Sequence, residues 1–189
     1  NTTKIDRYQE QIQQSLHLEE EKIDHFLEDK AFIQRITKAV RYSLEQEESD
    51  FAALQELATE RFTLSIFKGD SLIFWNNNYA RLPVEETVIK SPERQNKFLR
   101  LPNGFFELVA QTFRDKIMGQ YSVYALIPIK HEYELQSNYL NNDFLAGNHI
   151  PQNIKLTHSI TEFPIITNSG APLCYLEADG KLVNRPVQQ

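Results

Sequence analysis

The chain holds one cysteine, one methionine and one tryptophan, and its six glycines and eight prolines all lie at or after Gly69 and Pro83 respectively. A single cysteine, Cys174, excludes an internal disulfide and any paired-thiol motif. The few glycines form neither G-x-G-x-x-G nor G-x-x-x-x-G-K-[ST], so a phosphate cradle of backbone N–H groups is not expected. No window approaches the roughly 18 uncharged apolar residues of a membrane-spanning helix, and the N-terminus lacks the apolar core of a signal peptide. Asn1 in place of Met reads as the start of a processed or excised piece, and any membrane segments are expected outside this chain. Lys and Arg do not cluster as binding to a nucleic-acid backbone requires, so no nucleic-acid partner is expected.

Charge and punctuation divide the 189 residues into two parts. Residues 1–60 carry 7 basic and 14 acidic groups, whereas residues 61–189 carry 13 and 12, within a total of −6. The first part has no glycine or proline. Its apolar residues recur at Ile5, Tyr8, Ile12, Leu16, Ile23, Phe26 and Leu27, then at Phe32, Ile33, Ile36, Val40 and Leu44, with helical spacings. This predicts helices over 3–28, 30–47 and 50–60, with Thr3 as a weak cap and Glu19-Glu20-Glu21 on a solvated face. Ile5, Ile12, Phe26, Ile33 and Val40 also fall on multiples of seven from Ile5, which suggests a homodimer through the N-terminal helices.

From Arg61 onward the period becomes alternating. Phe62–Phe67 and Ser71–Trp75 around Lys68-Gly69-Asp70 read as a hairpin. Residues 76–96 read as a connection with a helical turn near 85–90. Strands follow at 97–101, 105–113 and 121–129; the last is nearly all apolar and hence central, with Pro128 at an edge or bulge. Residues 130–159 lose the pattern apart from a helix at 134–140. Strands return at 163–167, 173–177 and 181–183. Helices followed by about seven strands make an α+β fold, long N-terminal helices packed on a mostly antiparallel sheet, with 1–60 the helical segment and 61–189 the sheet core of one structural domain.

Chemistry-bearing patterns are sparse. His131-Glu132-Tyr133-Glu134 begins an H-E-x-x-H motif, but Leu135 stands where the second histidine is needed. His17 and His25 are eight apart on a helix, and His149 and His158 fall in loops. Paired acids arise by chance among 26, so Glu107 on a strand and Glu132 near a strand end carry little weight as an acid or base. No cofactor, metal or catalysis is expected. What stands out is aromatic content, Trp75, Tyr79, Phe106, Tyr121, Tyr124, Tyr133 and Tyr139, accompanied by Lys130, Asn138 and Asn141. Rings that supply area and a few polar groups that fix orientation suit a small-ligand site.

Tyr124-Ala-Leu-Ile-Pro-Ile-Lys130, followed by His131-Glu-Tyr133 and Asn138-Tyr-Leu-Asn-Asn-Asp-Phe144, resembles the extracytoplasmic sensor region of bacterial membrane-bound sensor histidine kinases. Ser71-Leu-Ile-Phe-Trp-Asn76 and Leu101-Pro-Asn-Gly-Phe-Phe106 match the same region. The resemblance implies a PAS-like or Cache-like fold, a periplasmic location, and a ligand-sensing input to a two-component system whose kinase core is absent from these residues. It also implies a pocket on the sheet face opposite the N-terminal helices or under the connections 76–96 and 130–159, where an unknown small molecule would meet Trp75, Tyr79, Tyr124, Lys130 and Tyr133. The alternative is a constitutive interaction or dimerisation module without a small-molecule ligand.

Overall fold

A computed structural model describes residues 4–42, 48–133 and 142–179. Three helices, α1 (Lys4–Glu28), α2 (Lys30–Tyr42) and α3 (Glu48–Ala58), precede the strands β1 (Thr63–Lys68), β2 (Ser71–Trp75), β3 (Gln95–Leu101), β4 (Gly104–Asp115), β5 (Gly119–His131), β6 (Ile154–Thr157), β7 (Pro164–Ile166) and β8 (Pro172–Ala178). The fold is α+β, with a long N-terminal helix and an antiparallel five-stranded sheet ordered β2-β1-β5-β4-β3. A second sheet is ordered β6-β8-β7. No helix among the described residues is long and apolar enough to cross a membrane.

The chain forms two compact units, one of Glu19–Lys97 with Glu107–Pro128, the other of Asn1–Leu18, Phe98–Phe106 and Ile129–Gln189. In the first, hereafter the helix–sheet unit, the break between α1 and α2 is the single residue Asp29. Its side-chain Oδ1 accepts from the N–H of Phe32 at 3.0 Å, an N-cap that starts α2. Ile23, Phe26, Leu27, Ile33 and Ile36 are all buried. Each such burial contributes about 1.5–3 kcal/mol. Of the seven-residue repeat, Ile12, Phe26 and Ile33 are buried within the chain, whereas Ile5 is half-buried. Glu20 departs from the expected wet surface: it is 2% exposed. Its neighbours in the run, Glu19 and Glu21, are half-buried and exposed.

An asparagine pair joins α3 to the sheet. Asn76 Oδ1 accepts from the Leu64 N–H at 2.7 Å, while Asn76 Nδ2 donates to the carbonyls of Leu57 and Phe62. Asn77 Nδ2 donates to the carbonyls of Glu60 and Phe62. These amides satisfy backbone groups that the end of a helix and the start of a strand leave open. β1 and β2 form the expected hairpin, with a register shift between Ile66 and Phe67. β5 lies between β1 and β4 and is buried from Tyr121 to Lys130. Its pairing with β1 stops at Leu126, so Pro128 interrupts no bond on that side. The helical turn expected near 85–90 is a 3₁₀ turn at Val84–Val88.

In the other unit β8 pairs with β6 and β7 around Ile154, Leu156, Ile165, Cys174 and Leu176, all buried. The first turns of α1 are tied to β7: Gln9 Nε2 donates to the Pro164 carbonyl, and Gln13 Oε1 accepts from the Ile166 N–H. β6 lies in the stretch expected to be without pattern. The expected helix at 134–140, the strand at 181–183, Thr3, and the 43–47 end of the second helix lie outside the described residues.

Candidate functional site

The five residues expected at a pocket fall in both units. In the helix–sheet unit, Ser65 is the register partner of both Trp75 and Tyr124, which puts the two rings on one sheet face. Trp75 is 52% and Tyr79 62% exposed, whereas Tyr124 is 1% exposed. The Tyr124 hydroxyl lies 2.8 and 2.9 Å from the carbonyls of Thr87 and Ile89. Lys90 Nζ lies 3.3 Å from that hydroxyl, and the ring meets Phe67 edge-on at 5.7 Å. The 76–96 connection therefore covers this face, as expected, and its backbone takes the polar end of Tyr124.

Lys130 and Tyr133 belong to the other unit. The Lys130 side chain is 2% exposed, 3.1 Å from Glu132 Oε2, and lies over the Phe144 ring at 5.0 Å. Burial holds its pKa below the ordinary lysine value, with Glu132 acting against that shift. The anion beside this ammonium is thus the chain's own Glu132. Tyr133 stacks beside His131 at 6.1 Å, and its N–H donates to Asn142 Oδ1. Tyr139 lies outside the described residues.

Two arrangements in the helix–sheet unit were not legible as sites. One is a buried carboxyl pair. Glu107 on β4 is 0% exposed and Glu20 on α1 is 2% exposed. Glu107 Oε2 accepts from Asn96 Nδ2 at 3.1 Å, whereas Oε1 is buried without a hydrogen-bond partner. Burial pushes the Glu107 pKa up to about 7, opposed by hydrogen bonds with Asn96 and Glu20 and by the charge of Arg94, while Asp24 adds to the rise. Arg94 pairs with Asp24 beside them. A hydrogen bond between two carboxyls requires a proton on one of them, which the raised pKa of Glu107 favours below about pH 7. Among the described residues no group of three or more His, Cys, Asp and Glu has the placement to hold a metal ion.

The other arrangement is a cleft of about 660 Å³ lined by Gln34, Arg35, Thr37 and Lys38 of α2, Lys68, Ser71 and Ile73 of the β1–β2 hairpin, and Ile117 and Met118 of the β4–β5 turn. Its volume falls in the range of small-molecule sites, roughly 300–1,000 Å³. Arg35 is fixed by Asp50, with Nε 2.8 Å from one carboxylate oxygen and Nη2 3.1 Å from the other. Gln34 Nε2 donates to Asp115 Oδ2 at 2.9 Å, and Asp115 Oδ1 in turn accepts the N–H groups of Ile117 and Met118, which shapes the turn. Among the described residues the lining carries Arg35, Lys38 and Lys68 and no acid. A signal for it exists in the sequence: residues 30–44 contain Lys30, Arg35, Lys38 and Arg41 and no Asp or Glu, inside an otherwise acidic segment. Set against known protein families, characterised proteins and solved structures, the chain matches none of them.

Proposed function

We infer that this chain is a ligand-sensing input domain, of PAS-like or Cache-like type, serving a membrane-bound sensor histidine kinase from its periplasmic side. The observation that carries the reading is the cleft, lined by Arg35, Lys38 and Lys68 alongside Ile73, Ile117 and Met118 where helix α2 faces the β1–β2 hairpin and the β4–β5 turn. Further support comes from the long N-terminal helix, the central β5, and the β2–β3 connection laid over one sheet face, an arrangement that fits the resemblance in the 64–76, 101–106 and 124–144 segments.

A ligand in the cleft touches α2 on one side and the sheet on the other. It shifts an equilibrium only by binding one arrangement of the two better than another. Because a single residue, Asp29, separates α2 from α1, a displacement of α2 acts directly on the C-terminal turns of α1. Sensing in this reading is a change in how α2 seats against the hairpin, and phosphotransfer belongs to a part of the protein outside this chain. A thermal-shift panel of small organic acids, amines, sugars and neutral amphiphiles on the purified domain tests it. Saturable stabilisation by one class is expected; a panel in which no compound raises the melting temperature at millimolar concentration overturns it.

A further inference from the structure

The cleft's chemistry specifies its ligand more narrowly. We propose that it binds a small amphipathic carboxylate, the anionic group held between Lys38 and Lys68 and the apolar body laid on Ile73, Ile117 and Met118. This rests on the reading of the cleft as the sensing site and adds the class of ligand.

Charge comes first. In a chain of net charge −6, the cleft lining among the described residues includes Arg35, Lys38 and Lys68 and no Asp or Glu, while Asp50 and Asp115 bond to Arg35 and Gln34 of that lining. Arg35 has its guanidinium edge committed to Asp50. Lys38 and Lys68 have no ion pair among the described residues, so theirs are the ammonium groups open to an incoming anion, with Ser71 of β2 in the same lining. Asp70 at the hairpin tip is exposed and outside the lining.

The donor set then selects among anions. A phosphate is best held by a bidentate guanidinium or by converging backbone N–H groups. Here the Nε–Nη2 edge of Arg35 is taken by Asp50, and the N–H groups of Ile117 and Met118 are taken by Asp115. Two lysines acting as point charges suit a compact anion, phosphate or carboxylate, so the choice between these falls to the apolar part. The apolar part follows from the floor. Ile117 is 78% exposed at the edge of the cleft, and Ile73 and Met118 are half-buried, so the three together form an apolar surface beside the lysines. A ligand with an aliphatic or aryl body covers this surface, which a compact polar anion leaves wet.

Met118 is the chain's only methionine, so methyl-¹³C-methionine labelling places one resonance in the cleft. Sodium octanoate, octanol and inorganic phosphate are titrated against the labelled domain at constant ionic strength. The proposal expects a saturable shift of the Met118 methyl with octanoate, and binding weaker by about tenfold or more for octanol and for phosphate. Lys38→Gln and Lys68→Gln are each expected to weaken octanoate several-fold, whereas Lys155→Gln, in the other unit, leaves it unchanged. Octanol binding as well as octanoate, phosphate binding as well as octanoate, or a Lys38→Gln, Lys68→Gln double variant with unaltered octanoate affinity each overturns the proposal. The wild-type comparison of octanoate with octanol decides the matter even if a variant folds poorly. If octanoate fails while another compound of the panel moves the Met118 methyl, the assignment of a carboxylate falls and the sensing reading stands; if no compound moves it, both fall.

Discussion

Replacing Glu107 by Gln should stabilise this protein at alkaline pH and leave it nearly unchanged in mild acid. The carboxyl is 0% exposed, and its pKa is raised from 4.5 to about 7, chiefly by burial. A native-state pKa above the unfolded one means that, between these two values, the native state holds a proton the unfolded state has released. Stability therefore falls as pH rises from about 4.5 to about 7, and above that the buried carboxylate imposes a constant penalty. With 1.36 kcal/mol per pKa unit, the penalty is on the order of 3 kcal/mol. Glutamine keeps the shape, cannot ionise, and can donate from Nε2 to a Glu20 carboxylate, so Glu107→Gln should gain up to about that amount at pH 8, or roughly 6–12 °C in melting temperature. Urea denaturation of both proteins at intervals from pH 4.5 to 8.5 reads the effect directly. A wild-type minus variant difference that stays constant across this range, or a variant less stable than wild type at pH 8, refutes the reasoning.

Two further substitutions probe the framework. Gly104 has φ +152°, and a Cβ there would lie 2.1 Å from the Lys130 carbonyl oxygen, so Gly104→Ala should cost about 3 kcal/mol in urea denaturation through the joint of β4 and β5. Asn76→Ala removes one acceptor and two donor contacts between α3, β1 and the following turn, and should cost about 2–3 kcal/mol, with amide exchange accelerated at Leu64.

The sequence reveals local patterns well and long-range pairings poorly. The period-3.6 stripe located α1 and α2, and the break at Asp29 followed from a lost rhythm. Alternation and turn residues located the hairpin and the long central β5, because a strand buried on both faces reads as an apolar run. β6 escaped because Ile-Lys-Leu-Thr offers only four residues of alternation between loops. An acidic run ordinarily faces water, so the sequence alone places Glu20 there; the carboxyl it meets, Glu107, lies 87 residues away. Lys130 stands out in the sequence as a cation at the end of an apolar strand, and its charge is met by Glu132 two residues on. The cleft needed three separated segments at once. Its local sign, a cationic α2 in an acidic third, vanished when charge was averaged over 60 residues.

The central claim, that ligand occupancy is read by α2 against the sheet, is tested most directly by hydrogen–deuterium exchange of the domain with and without a saturating compound from the panel. The account predicts slowed exchange concentrated in residues 30–38, 68–73 and 115–119, together with a change at the α1–α2 joint around Asp29. Protection confined to other segments, such as the surface around Trp75 and Tyr79, or a bound compound that leaves α2 and the hairpin unaltered, would contradict it.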